Sequence, residues 1–181
     1  LPILPSTPYT TDANGRGPAW ANSLFEDNAE FGLGFRLTVD QHRVRVMRLL
    51  EQFADNIPAE LNDALRAEAT PEVRREQVAA LRQHLKDVEG AQQLLTDADA
   101  LVEKSIWLIG GDGWAYDIGF GGLDHVLSLT ENVNILVLDT QCYSNTGGQA
   151  SKATPLGAVT KFGEHGKRKA RKDLGVSMMM Y

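Results

Sequence analysis

Apolar positions change their spacing along this chain, and the changes divide it into three stretches. Residues 1–35 are punctuated by Pro and Gly, with a helix-like patch over residues 19–31. From residue 36 to about Lys104 the apolar period is helical. Val46, Leu49, Leu50 and Phe53 share a face, Val78, Leu81, Leu85 and Val88 form one seam, and Ala91, Leu94, Leu95, Ala98, Leu101 and Val102 form another. Pro58 and Thr70-Pro71 stand at expected helix starts, because the N–H that proline lacks is one a first turn leaves unpaired anyway, and Gly90 supplies a break. Two or three packed helices with mixed charges outward account for this pattern better than a partner-binding coiled coil.

The third stretch reads differently. Residues 106–109 form a short apolar run that ends in Gly110, Gly111, Asp112 and Gly113, the signature of a buried strand closing in a tight turn. Residues 114–129 return to helical spacing through Ile118, Leu123, Val126 and Leu127. Residues 133–138 are apolar almost throughout, which predicts a strand buried on both faces of a parallel sheet. A right-handed strand–helix–strand crossover sets the two strand ends side by side, and open α/β sheets bind ligands at those carboxyl ends. There the second strand delivers Asp139, Thr140, Gln141, Cys142, Tyr143, Ser144 and Asn145.

The chemistry of the first turn is specific. Glycines let main chain approach a charged group with no Cβ in the way, and a helix start offers free N–H groups and a positive dipole end to a phosphate. Asp112 would repel that phosphate unless a hard cation such as Mg²⁺ lay between them, taking oxygen ligands from both. Asp112 therefore implies a metal as well as an anion. Taken alone, Gly-Asp-Gly is ordinary turn chemistry in many α/β proteins, and an asparagine such as Asn145 can merely bond its own loop backbone. Trp114 and Tyr143 read equally well as packing residues. The histidines, His42, His84, His125 and His165, have no ligand spacing.

The composite is more specific than its parts. GDGWAYDIG, a 26-residue spacer from Trp114 to Asp139, then Thr140, YSNTGGQ and SKATP together resemble the thiamine diphosphate motif of the pyruvate:ferredoxin (or flavodoxin) oxidoreductases, the large single-chain 2-oxoacid oxidoreductases. Thr140 stands where most thiamine-diphosphate proteins carry asparagine, which is itself a mark of this family. Residues 7–32, TPYTTDANGRGPAWANSLFEDNAEFG, are also similar to it.

The resemblance implies an α/β chain with a partial thiamine-diphosphate-binding fold, a parallel sheet with flanking helices that carries a helical insertion. On this reading residues 1–181 are part of one C-terminal cofactor domain. Within it, residues 36–104 are the insertion and residues 105–149 the diphosphate- and Mg²⁺-binding core. It implies further that Asp112 gives Mg²⁺ a carboxylate oxygen, Thr140 its hydroxyl and Cys142 its main-chain carbonyl. Cys142 replaces an aliphatic residue of the relatives, with little consequence for a backbone ligand. Gly111, Gly113 and Trp114 would line the diphosphate, the loop of Thr140, Gln141, Cys142, Tyr143, Ser144 and Asn145 would wrap it, and Asn145 would be the catalytic polar group beside the reacting carbon. An amide held there stabilises a developing oxyanion.

The implied reaction is oxidative decarboxylation of pyruvate, with the acetyl group passed to CoA and electrons sent through 4Fe–4S clusters to ferredoxin or flavodoxin. Clusters need several cysteine thiolates, and Cys142 is the only cysteine, so the clusters belong to the remainder of a parent chain, expected to be a homodimer. The chain alone is then expected to be inactive. The alternatives are an oxidoreductase for another 2-oxo acid, and a non-catalytic helical interaction module on a degenerate cofactor domain.

Composition sets bounds without changing this picture. A length of 181 residues with 43% hydrophobic residues suffices for a core, and a net charge of −6 argues against general nucleic-acid binding. One cysteine fits a reducing cytoplasm, and no long apolar run or signal pattern points to membrane or export. A start at Leu1 fits a fragment. The basic run Lys161, Lys167, Arg168, Lys169, Arg171 and Lys172 would attract an acidic carrier protein or phosphorylated thioester carrier, or be a solvated face. Residues 150–158 read as a loop followed by a short helical pattern, and the apolar close at residues 176–181 reads as the start of a buried element.

Overall fold

The computed structural model describes residues 11–23 and 25–181, so residues 7–10 and Leu24 of the family-like segment 7–32 lie outside the described residues. The chain divides into two compact units, Gly34–Ile106 and the remainder. Helix α1, Asn28–Gln52, begins in the second of these and continues through the first.

In unit Gly34–Ile106, α1 is followed by a 3₁₀ turn at Ala54–Asn56, α2 (Ala59–Arg66), α3 (Pro71–Leu85), α4 (Gln92–Asp97) and a 3₁₀ turn at Ala98–Leu101. The expected stops and starts are where the sequence puts them. Pro58 precedes α2, Thr70 caps α3 by accepting from the Val73 N–H with Pro71 in its first turn, and Gly90 takes φ +81° between α3 and α4. The separate apolar seams prove to be one core: Val46 and Leu50 meet Val78, Leu81, Leu85, Leu94, Ala98 and Leu101, with Leu49, Phe53, Val88 and Leu95 at its margin. Buried Arg74 is held by the carbonyls of Ala64 (3.0 Å) and Ala67, which are those left open where α2 ends.

In the other unit, β1 (Trp107–Gly110) and β2 (Asn134–Val137) pair in parallel, Trp107 opposite Asn134 and Gly110 opposite Val137. Between them lie α5 (Asp112–Tyr116) and α6 (Phe120–Ser128), and α7 (Leu174–Met178) comes last. The α/β class with a parallel pair and flanking helices is as expected.

Several local expectations are corrected. The patch at residues 19–31 is helical only from Asn28, because Glu26 takes φ +57° and the Ser23 and Asp27 side chains bond each other first. Residues 114–129 are not one helix. Asp117 leaves helical geometry (φ −126°, ψ −104°), and Ile118, expected on the inner face, is 79% exposed. The second strand is not buried on both faces, since Leu136 and Leu138 stay largely exposed beside a sheet that has two strands among the described residues. No helix follows Ala158 until α7. Gly157 and Gly166 at positive φ turn the chain instead. The close is exposed rather than buried: of α7 and its tail only Leu174 is inside, while Val176, Met179, Met180 and Tyr181 face outward. No helix among the described residues is long and apolar enough to cross a membrane.

The break between α5 and α6 depends on Gly119. A Cβ there would stand 2.7 Å from the Trp114 carbonyl and ring Cδ1 and closer still to the Glu26 carbonyl, so main chain would have to move. Gly119→Ala is expected to cost about 1–3 kcal/mol, read by chemical denaturation; an unchanged midpoint would show that this packing is loose.

Candidate functional site

Both polar loops do meet at the carboxyl ends of β1 and β2. Gly111, in extended conformation, precedes α5, and Asp112, a residue only 2% exposed, opens it. Asp112 Oδ1 accepts the Thr140 N–H at 3.0 Å, and Oδ2 accepts the Ser151 hydroxyl at 2.7 Å. The Thr140 hydroxyl donates to the Cys142 carbonyl at 2.9 Å. An aspartate carboxylate, a threonine hydroxyl and a main-chain carbonyl are thereby tied into one cluster of hard oxygens.

Gly113 faces Glu26, whose Oε1 would stand 2.8 Å from a Cβ at that position. Trp114 is fully buried, and its indole Nε1 has no hydrogen-bond partner among the described residues. Gln141 takes φ +63°, with its N–H on Asp139 Oδ1 at 3.1 Å and its carbonyl accepting the buried Thr154 hydroxyl. Beyond Cys142, a half-buried free thiol, the chain forms a small hairpin. The Tyr143 N–H donates to the Gln149 carbonyl at 2.9 Å and the Gly148 N–H to the Tyr143 carbonyl at 2.7 Å, with Gly147 and Gly148 turning at φ +106° and +92°. Ser144 and Asn145 lie exposed at its tip. Asn145 makes no hydrogen bond among the described residues, so the fold brings Asp112, Thr140 and Cys142 together but leaves Asn145 apart from them.

Residues that sequence reasoning gave no role complete the arrangement. Asp117 accepts the Lys152 N–H at 3.1 Å and pairs with Lys152 Nζ at 2.8 Å. Burial first, and then Asp117, raises the Tyr143 pKa above the ordinary phenol value. Burial raises the Asp117 pKa as well, yet its bonds to Lys152 outweigh this and hold it below the usual carboxylate value. Tyr116 donates to Asp139 Oδ2 at 2.7 Å, and Arg171 pairs with the same carboxylate. YDIG and SKATP carried these residues in the sequence, but no local spacing signals contacts made across 35 or 39 positions.

The basic run divides. Lys167 donates to the Lys152 (3.1 Å) and Thr154 (2.6 Å) carbonyls, and Arg171 is spent on Asp139. Lys167 braces the loop through these carbonyls, while Arg171 pairs with Asp139 from an exposed position.

No protein-family model matches the chain. A probable pyruvate-flavodoxin oxidoreductase of Escherichia coli K12 is 92% identical over 178 residues, which are 98% of this chain and 15% of that protein. The chain is homologous over nearly its whole length to a segment of the pyruvate-flavodoxin oxidoreductases. It spans about 15% of the length of such relatives. A pyruvate:ferredoxin oxidoreductase of Moorella thermoacetica is 48% identical over 98% of the chain and 16% of its own length. A mitochondrial pyruvate dehydrogenase [NADP(+)] of Euglena gracilis is 46% identical over 96% of the chain and 10% of its own. The names of these relatives differ in the electron carrier they give.

Proposed function

We propose that this chain is the part of a pyruvate oxidoreductase that holds Mg²⁺ and thiamine diphosphate. The carrying observation is the oxygen cluster of Asp112, Thr140 and Cys142. Metal–oxygen bonds of about 2.0–2.1 Å put neighbouring corners of an octahedron about 2.9 Å apart, and the Thr140 hydroxyl and Cys142 carbonyl oxygens have that separation. Asp112 is buried with no cationic side chain paired to it among the described residues, a condition proteins avoid unless something compensates the charge. Two of its roughly four lone-pair sites are taken by Thr140 and Ser151, which leaves room for a cation. The indole N–H of Trp114, two residues on, is a buried donor lacking the acceptor that a diphosphate would supply.

In the reaction, thiamine diphosphate supplies the carbanion stabilisation that decarboxylation of a 2-oxo acid requires. Asp112, Thr140 and Cys142 hold the cation that neutralises the diphosphate, and Gly111, Gly113 and Trp114 let main chain approach it. Gln141, Tyr143 and Ser144 shape the wrapping loop. Asn145, exposed at the hairpin tip and without a hydrogen bond among the described residues, keeps its amide available to an oxyanion on the substrate. Pyruvate is the substrate favoured, because it is the element shared by the names of relatives whose carriers are flavodoxin, ferredoxin or NADP(+). The reading carries with it CoA as acetyl acceptor, 4Fe–4S clusters and the flavodoxin or ferredoxin surface outside this chain, a homodimeric parent, and a cytoplasmic setting that suits the free thiol of Cys142. Residues 36–104 are then a helical insertion in the cofactor domain.

Calorimetric titration of the full-length protein with thiamine diphosphate is expected to show saturable binding that requires Mg²⁺. Pyruvate-dependent reduction of a viologen dye is expected from that protein and absent from residues 1–181 alone. Binding indifferent to Mg²⁺, or faster dye reduction with 2-oxoglutarate, would replace this reading.

A further inference from the structure

The short turn at residues 151–154, closed by the Thr154 N–H on the Ser151 carbonyl at 3.3 Å, touches both loops of the oxygen cluster. The Ser151 hydroxyl donates to Asp112 Oδ2 at 2.7 Å and accepts the Ala153 N–H at 3.0 Å. The Thr154 hydroxyl accepts the Ser151 N–H at 2.9 Å and donates to the Gln141 carbonyl. Both residues are buried, and their hydroxyl oxygens stand 3.4 Å apart. One turn therefore ties the aspartate of the first loop to the residue that separates Thr140 from Cys142 in the second.

Gln141 is the strained residue of that second loop. It takes φ +63°, where a residue with a Cβ is crowded, and such a conformation persists only where the surroundings fix it. Two main-chain bonds do so. The Gln141 N–H lies on Asp139 Oδ1 at 3.1 Å, a local bond of the kind a loop aspartate commonly makes two residues on. The bond to its carbonyl comes from 13 positions away, from a threonine 1% exposed, where water has little access.

We infer that Thr154 is a positioning residue: by holding the Gln141 carbonyl it keeps the left-handed turn that sets the Thr140 hydroxyl and the Cys142 carbonyl 2.9 Å apart. This rests on the cofactor reading above. Without the Thr154 hydroxyl, Gln141 is free to relax to negative φ, and the chain changes direction between the two donors. A cation then has to restore their spacing when it binds. Groups that orient metal ligands in this way change metal affinity about 10–100-fold when lost.

The test uses the full-length protein and titrates Mg²⁺ at fixed thiamine diphosphate, read by circular dichroism, for wild type, Thr154→Val, Thr154→Ser and Gln141→Val, with thermal melts alongside. Thr154→Val keeps the shape and deletes the hydroxyl, and the half-saturating Mg²⁺ concentration is expected to rise about 10-fold. Thr154→Ser keeps both donor and acceptor and is expected to retain the wild-type dependence. Gln141→Val strains the same main chain from an exposed position, because a β-branched residue resists positive φ, and the Mg²⁺ requirement is expected to rise in the same direction. A lower melting temperature in Thr154→Val with unchanged Mg²⁺ dependence would reduce Thr154 to a structural contact and overturn the inference, as would a serine variant impaired as much as the valine one. Either result leaves the cofactor reading standing, whereas absence of Mg²⁺-dependent binding in wild type overturns both. Should Thr154→Val fail to fold, Gln141→Val decides: an unchanged Mg²⁺ requirement there would overturn the inference.

Discussion

Asp112→Asn in the full-length protein is expected to weaken Mg²⁺-dependent thiamine diphosphate binding at least about 100-fold, beyond the usual effect of an outer-shell partner, while leaving the fold intact. The structure explains why the two consequences separate. An asparagine keeps one oxygen for the Thr140 N–H, and its amide can donate to the Ser151 hydroxyl, which accepts as readily as it donates. No buried partner is orphaned. What disappears is the negative charge, and a hard cation loses its anionic ligand. Calorimetry with and without Mg²⁺, beside a thermal melt, measures both. Retained Mg²⁺ dependence would remove Asp112 from the metal site. A collapsed melt would show instead that its charge holds the two loops in place.

Leu81→Ala is expected to destabilise the helical unit by about 3–4 kcal/mol. Leu81 is fully buried among Leu50, Leu85 and Leu94 in the core where the faces of α1, α3 and α4 converge. Truncation there loses transfer free energy and leaves a cavity that close-packed neighbours cannot fill. On the same helix Val73 is 44% exposed, so Val73→Ala is expected to change stability by no more than about 0.5 kcal/mol. Amide hydrogen exchange in α3, which reads local opening in a large protein, distinguishes the two. Equal effects would mean that the apolar seam is not the source of stability.

These two sites differ in how far sequence reasoning reached them. Helical burial repeats every three or four residues, so Val78, Leu81 and Leu85 could be read from spacing. That pattern could not say that the seams are one core, since convergence of helices is set by their packing. The Gly-Asp-Gly turn was legible as a candidate metal–anion site because a carboxylate beside an anion needs a cation, and Thr140 was legible only through the family resemblance. Ser151, Asp117 and Lys152 were not, because their contacts join residues far apart in the chain. The basic run stayed open for a related reason. Charge is visible in sequence, but whether Lys167 and Arg171 face solvent or carbonyls and carboxylates is not.

By itself, then, the sequence determined the periodic elements, a candidate metal–anion turn at Gly-Asp-Gly and a resemblance to one oxidoreductase family. Those depend on residue identity and short spacing alone. Tertiary structure decided that β2 has an exposed face, that the helix after β1 breaks at Asp117, and that Asp112 takes bonds from both arms of a hairpin while Asp117, past the other end of α5, holds Lys152. Such contacts exist only once loop closure has brought distant segments together, and no local pattern in the chain encodes which side chains will then meet.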